Sequence, residues 1–328
     1  MRIAIDLHGG DHAPTEVVEG VRLAAAEWPD LSIILVGRDE SLKPELPNVS
    51  FKRVTEVIGP EEEPVKSVRS KKDSSIVVGC RMVREGEADA FISGGNTGAL
   101  MAAGLFVTGR MKGVDRPALA PVFPVLGGGG MLVLDVGANP EARAEHLRQY
   151  ALMGGIYAQK VLGIENPRVG LLNIGTEAGK GTELTKEAYS LLDREPDLRF
   201  VGNVEARDVL FGPCDVLVCD GFSGNILLKN TEGVAKAIFD RLKQEFTRNW
   251  LSKLAAAVLK PGLVRFKNDM DYKEHGGAPL LGLAGPVIKA HGSSDARAFF
   301  NAIRQARRFT EQQVISSIEQ ELSKQKGA

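Results

Sequence analysis

Cysteine is nearly absent: Cys80, Cys214 and Cys219 are the only three in 328 residues, and their spacing fits neither a zinc motif nor a redox pair. A disulfide scaffold is excluded, and reduced, buried thiols are expected. Aromatic residues make up only 6%, too few for a surface on which bases stack, and 41 basic residues almost cancel 42 acidic ones. Nucleic acid is therefore excluded as a partner. No apolar run reaches the roughly eighteen residues of a membrane span, and no signal-peptide core precedes the strand-like run Arg2–Asp6. A cytoplasmic protein is expected. Missing motifs narrow the chemistry further. There is no G-x-S-x-G elbow, no Walker loop, no strand-linked G-x-G-x-x-G, no H-E-x-x-H and no compact carboxylate cluster. Asp39 and Glu40 follow the second strand as a ribose-binding acid would, but the first turn lacks the glycine spacing that should accompany them. Nothing in the sequence calls for a cofactor or a metal.

What is present is glycine, 37 residues of it, in a chain that is 43% hydrophobic and can bury a large core without staples. Short β-branched runs read as buried parallel strands at Arg2–Asp6, Ser32–Gly37, Ala90–Ser93, Met131–Val136, Val169–Ile174, Phe200–Gly202 and Asp215–Cys219. Between them lie segments of helical periodicity: Thr15–Glu27, Ser75–Glu85, Gly98–Gly109, Ala144–Leu162, Glu183–Asp193 and Ser223–Gln244. This alternation predicts an α/β fold with a mostly parallel sheet and two lobes sharing a cleft. The proline- and glycine-rich stretch Arg116–Gly130 reads as a hairpin crossing between the lobes. The expected division is residues 1–115 plus 285–328 for the first lobe and 116–284 for the second, with a protruding helical segment at 250–272. Ala296–Leu322 reads as one long helix packed on the first lobe.

Ligands of open α/β sheets bind beyond the carboxyl ends of the strands, so the turns at those ends carry the information. Here they hold Gly9 and Gly10; Asn96, Thr97 and Gly98; Asn139; Gly175 and Thr176; Asn203; Ser223, Gly224 and Asn225; and Ser293 and Ser294. Glycine admits close backbone approach, and Asn, Ser and Thr add neutral donors, a combination suited to an oxyanion. Each turn taken alone is equally well a simple chain reversal; together they predict one anion cleft. Lys180, flanked by glycines, reads either as a phosphate contact or as a solvated loop lysine, and Lys186 either reaches the cleft from its helix or faces solvent. His12 and His291 sit in glycine-containing loops, where each is either a donor or general acid or a structural residue.

Read together, Asp6–Pro14, Ser93–Ala99, Arg116–Leu119, Leu134–Asn139, Gly170–Glu177, Gly202–Glu205, Asp220–Asn225 and Lys289–Asp295 resemble the bacterial phosphate acyltransferases of phospholipid synthesis along the whole chain. Leu7-His8 replaces the usual Ala-Met, and Gly95 stands where Ser-Ala-Gly is common. The resemblance implies the fold of isocitrate and isopropylmalate dehydrogenases, shared with phosphotransacetylase, assembled as a homodimer. It also implies transfer of a fatty acyl group from acyl carrier protein to inorganic phosphate, the acyl phosphate passing to a membrane glycerol-3-phosphate acyltransferase.

For that reaction, direct attack of phosphate on the thioester is the expected course, without a covalent intermediate. Asn96, Thr97, Gly98 and Ser223–Asn225 are the expected anion donors, Asn139, Asn203, Ser293 and Ser294 complete the wall, and Lys180 or Lys186 neutralises charge. His12 or His291 assists the leaving thiolate. Lys66, Arg69, Lys71 and Lys72 form the densest basic run, read as a dock for acyl carrier protein or as a solvated loop, and Arg304, Arg307 and Arg308 form a second candidate. Leu254, Val258, Leu263 and Phe266 lie in an apolar and basic stretch that suits the inner face of the cell membrane or a dimer interface. Competing readings are phosphotransacetylase-like transfer between coenzyme A and phosphate, a non-catalytic membrane scaffold, and a dehydrogenase.

Overall fold

The computed structural model describes residues 1–269 and 276–326, with side chains for all of these except 264–269 and 325–326. The apolar runs assemble into two sheets, and strand order shows how the chain divides between them. The first sheet holds β1 (Arg2–Asp6), β2 (Ser32–Gly37), β3 (Val49–Arg53), β4 (Ala90–Ser93) and β5 (Ala118–Leu119); the second begins with β6 (Val122–Pro124) and β7 (Gly130–Leu134) and adds β8 (Arg168–Asn173), β9 (Arg199–Glu205) and β10 (Val216–Val218). The chain then returns to the first sheet with β11 (Ala278–Leu281) and β12 (Val287–Lys289). The orders are β3-β2-β1-β4-β12-β11-β5 and β6-β7-β10-β8-β9. Pairing is parallel except at β11 with β12, β11 with β5, and β6 with β7.

Helices fill the crossovers: α1 (Thr15–Glu27), α2 (Pro64–Ser70), α3 (Ser75–Arg84), α4 (Thr97–Ala103), α5 (Ala144–Lys160), α6 (Glu183–Asp193), α7 (Gly221–Thr247), α8 (Trp250–Asp269), α9 (Ala296–Glu311) and α10 (Val314–Lys326). Buried Val17, Val21 and Ala24 seat α1 against Ile3, Ile5 and Ile33 of the first sheet. Tyr150, Met153 and Tyr157 seat α5 against Leu132, Val169 and Val216 of the second. A third cluster runs from Phe91 and Leu100 through Leu119 and Val136 to Val133 and Leu217, so the two sheets share apolar contacts.

Three expectations change. The stretch 116–130 does cross between sheets, but its first strand, β5, stays in the first sheet, as does β11; both lie inside the range 116–284 expected for the second lobe. The pattern Gly98–Gly109 is α4 followed by a π-helical turn, Gly104–Thr108. The long C-terminal helix breaks at Gln312-Gln313, where Gln313 takes φ +50°, a left-handed conformation that ends the helix without glycine or proline. The break sends the two halves to different places. Phe299, Ala302 and Ile303 of α9 pack with α1, while Val314, Ile318 and Leu322 of α10 join the core around α5.

Candidate active site

The carboxyl ends of β1, β4 and β12 border a cavity of about 410 Å³ together with the carboxyl ends of β5 and β7 and the amino end of the antiparallel β6, within the range of small-molecule sites. The turns after β1, β4 and β12 contribute His8, Gly10, Asp11, Gly94–Thr97, Lys289, His291 and Gly292; the opposite wall is Leu119, at the far edge of the same sheet, with Pro121, Val122, Val136, Gly137 and the first turns of α7 at Asn225, Leu228, Lys229 and Glu232.

The first-sheet wall is fixed by Asp6, which is buried at the end of β1. One carboxylate oxygen accepts from the His8 amide at 3.0 Å and the other from the Ser93 hydroxyl at 2.7 Å, and Ser93 Oγ in turn accepts from the Gly95 amide at 3.0 Å. The turns after β1 and β4 are thereby drawn together so closely that a Cβ on Gly9 would lie 2.6 Å from the Gly95 nitrogen and one on Gly94 2.7 Å from the Gly9 oxygen. Only glycine fits at either point. Asp11 donates its amide to Gly292 O at 2.7 Å and ties the β12 turn into the same wall.

The second wall hangs on Asp135, which is fully buried. Its Oδ1 accepts from the amides of Leu119, Gly137 and Ala138 at 3.0, 3.1 and 2.9 Å, and its Oδ2 from the Asn139 amide at 2.6 Å and the Asn139 Nδ2 at 3.1 Å. Burial raises the Asp135 pKa, and these hydrogen bonds oppose the rise. Gly224 packs against the Asp135 carbonyl with no room for a side chain, which brings the first turn of α7 to the cavity. Asp220 caps that helix by accepting from the Phe222 and Ser223 amides at 3.0 and 2.9 Å.

Of the residues expected to act, Asn96, Thr97, Asn225, His291 and Gly10 line the cavity. Asn96 spends its side chain on structure: Oδ1 caps α4 through the Ala99 amide, and Nδ2 points at the carbonyls of Gly59, Pro60 and Glu62. Asn225 is exposed to the cavity, and its side chain has no hydrogen-bond partner among the described residues. His291 accepts from the Ser293 amide through Nδ1 at 3.2 Å and turns Nε2 toward Glu232 at 3.7 Å. Glu232 also takes Lys229 at 2.9 Å.

The other expected residues lie outside the lining. Asn139 braces Pro117 O and the Tyr150 hydroxyl at 2.6 and 2.9 Å, and Asn203 donates to Glu177 O at 2.8 Å. Gly9, Gly98, Ser223, Gly224, Ser293 and Ser294 belong to turns that reach the lining through other residues. Gly175, Thr176 and Lys180 belong to the loop after β8, His12 is exposed, and Lys186 pairs with Glu183 at 3.2 Å. In the basic run, Lys71 is tied to Glu62 at 2.6 Å.

Sequence reasoning missed Lys289. It ends β12 only 8% exposed, yet lines the cavity, and its Nζ donates to Gly94 O at 3.1 Å and to Ala290 O. Burial pushes its pKa down to about 8, against the pull of Asp6 and then Asp11. The available signal was a charge closing the apolar run Val287-Ile288 immediately before a glycine turn. His8 also lines the cavity, with Nε2 accepting from the Arg38 amide at 2.9 Å, and burial lowers its pKa. The three cysteines are buried, and burial pushes the thiols of Cys80 and Cys214 up to about 12 and that of Cys219 well above its usual value. None is poised as a nucleophile.

Residues 1–317 match the family described as "Fatty acid synthesis protein". Phosphate acyltransferases from Brevibacillus brevis and Geobacillus thermodenitrificans are each 58% identical to this chain over 99% of its length, covering 98% and 99% of their own. The chain belongs to the phosphate acyltransferase family. Among solved structures, a phosphotransacetylase from Streptococcus pyogenes superposes with a TM-score of 0.60 at 17% identity, over 95% of this chain and 94% of its own. A branched-chain phosphotransacylase from Enterococcus faecalis gives 0.60 at 16%, over 94% and 99%. These likenesses establish the fold, the α/β class with mostly parallel strands expected from the sequence.

The Asp135 knot yields a direct test. In Asp135→Asn an amide NH₂ faces N–H donors in a buried site, and the expected loss is about 3 kcal/mol of unfolding free energy, read from urea denaturation. A loss below about 1 kcal/mol shows that the carboxylate does not hold this wall.

Proposed function

We propose that this phosphate acyltransferase moves a fatty acyl group from the thioester of an acyl carrier protein to inorganic phosphate. The observation that carries the reading is the cavity itself, where glycine turns of one sheet face an uncommitted Asn225 from the other. A phosphate oxygen attacks the thioester carbonyl carbon, the tetrahedral oxyanion collapses, the C–S bond breaks, and the thiolate leaves. With every thiol buried, the direct course needs no acyl-enzyme. In this reading Asn225 is the oxyanion donor, Thr97 and the backbone of the β4 turn flank the phosphate, and His291 stands near the leaving sulfur. Neither His12 nor the Lys180 loop lies on the cavity wall, and this reading gives them no part in the reaction.

The donor's size distinguishes a second reading, transfer between coenzyme A and phosphate, which the phosphotransacetylase fold makes reasonable. Purified protein incubated with acylated carrier protein forms acyl phosphate only when phosphate is supplied; release of free fatty acid without phosphate, or activity with acyl-coenzyme A alone, overturns the carrier reading. In the same assay Asn225→Ala is expected to lower turnover roughly 150-fold, about 3 kcal/mol, with unchanged thermal stability.

An acidic carrier needs a basic landing surface. Lys66, Arg69 and Lys72 supply one, extended by Arg81 and Arg84 of α3 around Phe106, which is 55% exposed and lies 5.7 Å under the Arg69 guanidinium. Arg81 and Arg84 hydrogen-bond to the backbone carbonyls of Lys72 and Val107 at 2.8 and 3.4 Å rather than to carboxylates. Arg81→Glu with Arg84→Glu is expected to raise KM for the carrier thioester about tenfold at low salt and to leave kcat unchanged. An unaltered KM removes this surface from the docking site.

The α7–α8 hairpin fits a second contact. α7 runs about 40 Å, and Ile238, Trp250, Leu251, Leu254, Val258 and Leu259 are exposed on the pair. Leu263 is half-buried, and the side chain of Phe266 and residues 270–272 lie outside the described residues. No helix among the described residues is long and apolar enough to cross a membrane. Apolar residues interleaved with Lys253 and Lys260 suit reversible contact with an anionic bilayer, where the acyl phosphate would be consumed, or with a second copy of the chain. Leu254→Glu is expected to lose flotation with anionic vesicles. Equal flotation assigns this face to the dimer, which sedimentation then reads.

A further inference from the structure

Any phosphate entering this cavity needs a positive charge; of the two cations anticipated for that task, Lys180 lies outside the lining, and Lys186 and the other cationic or titratable donors nearby are committed. Lys186 pairs with Glu183, Lys229 pairs with Glu232, and His8 uses Nε2 as an acceptor for a backbone amide. Lys289 differs from all of these. It is the most deeply buried cation of the cavity wall, and its acceptors are two neutral carbonyls, those of Gly94 and Ala290. No carboxylate lies within ion-pair distance of it among the described residues; both oxygens of Asp6, the acid whose charge most supports the ammonium, accept from His8 and Ser93. An ammonium has three donors, and here two are spent.

We propose that Lys289 is the cation that binds the phosphate nucleophile, its ammonium directed into the cleft by the Gly94 and Ala290 carbonyls. The assignment rests on the phosphate acyltransfer reading and names the group that selects the anion. A buried ammonium without a counter-ion is destabilised by desolvation, and a bound phosphate oxygen offsets that loss directly. The same position makes the charge sensitive to pH. Burial lowers its pKa to about 8, Asp6 and Asp11 hold it up, and Lys229 lowers it further; His8, His291 and Glu232 are the other titratable groups on the wall. The sign follows from the cation: phosphate affinity is full below that pKa and falls as pH rises through it.

Lys289→Met keeps the length of the side chain and removes the charge; Lys289→Arg keeps the charge. The Met variant is expected to raise KM for inorganic phosphate roughly 30-fold at pH 7, to leave KM for the acyl thioester within about twofold, and to lack the rise in phosphate KM expected above about pH 8 in the wild type. The Arg variant is expected to recover part of the phosphate affinity. An unchanged phosphate KM in the Met variant overturns the proposal, as does an equal rise in both Michaelis constants, which marks Lys289 as a brace between two turns. If the Met variant does not fold, the wild-type profile decides alone: a phosphate KM that stays flat from pH 7 to about 9.5 overturns the assignment. Wild-type protein that forms no acyl phosphate at all would instead remove the functional reading, a separate result.

Discussion

The contact on which the site depends is the backbone-to-backbone approach of the turns after β1 and β4. Gly9 and Gly94 meet with no space for a Cβ on either, and Asp6 holds them there by bonding both the His8 amide and Ser93. Adjacent parallel strands place their carboxyl ends side by side, but side chains ordinarily keep the following turns apart. Removing the side chains lets two loops become one surface, with amides rather than methyl groups at its face. Lys289 is bound to the same surface through the Gly94 carbonyl, so the geometry of the glycine contact also sets the position of the buried charge.

The opposite wall solves the same problem with a carboxylate in place of a contact. Asp135 gathers the amides of residues 137–139 and of Leu119, which lies on another strand, and fixes β5 and β7 relative to one another although they belong to different sheets. The cleft is thus bounded by two rigid knots. Across it, His291 faces Glu232, a polar contact between the first-sheet loop and α7 that sits beside the apolar seam of Leu119 and Val136. The halves of the C-terminal region add a second link, because α9 packs on α1 while Phe309 and Gln305 reach Tyr157 of α5.

Much of this was legible from residue pattern. Buried parallel strands need continuous apolar runs, and those of β1, β2 and β4 were read at their observed limits; α1 and α6 were too, since polar turns bracket their amphipathic periods. β3 escaped because an edge strand with Ser50 and Lys52 outward carries too little apolar signal, β5 and β6 lie within the proline- and glycine-rich stretch 116–130, and β11 and β12 follow one another with no helix between them to mark the alternation. The break at Gln312-Gln313 carried no glycine or proline. In the site, pattern located the turns but could not apportion them. Asn96, Asn139, Asn203 and Asn225 are chemically identical, yet three are spent on backbone braces and one is left to face the cavity. That difference depends on which carbonyls the fold brings near each amide, and it is invisible in one dimension. Lys289 was passed over for the converse reason: a charge at the end of an apolar run reads as the edge of the core, whereas the parallel sheet makes that edge the floor of the cleft.

The sparing use of charge fits the chemistry. A phosphate gripped by several guanidinium groups is held tightly but has its lone pairs engaged, and it is a weak nucleophile toward a thioester. Binding energy spent equally on ground state and transition state does not raise turnover. In this cavity the arginines are elsewhere, around Phe106, where they would meet a protein surface rather than the reacting anion. In the proposed reading, one buried lysine and neutral donors would leave phosphate oxygens free to attack, and Asn225 would meet from the other wall the charge that develops only after attack begins. On that proposal, the division places electrostatic attraction where carrier docking would need it and withholds it where nucleophilicity would suffer.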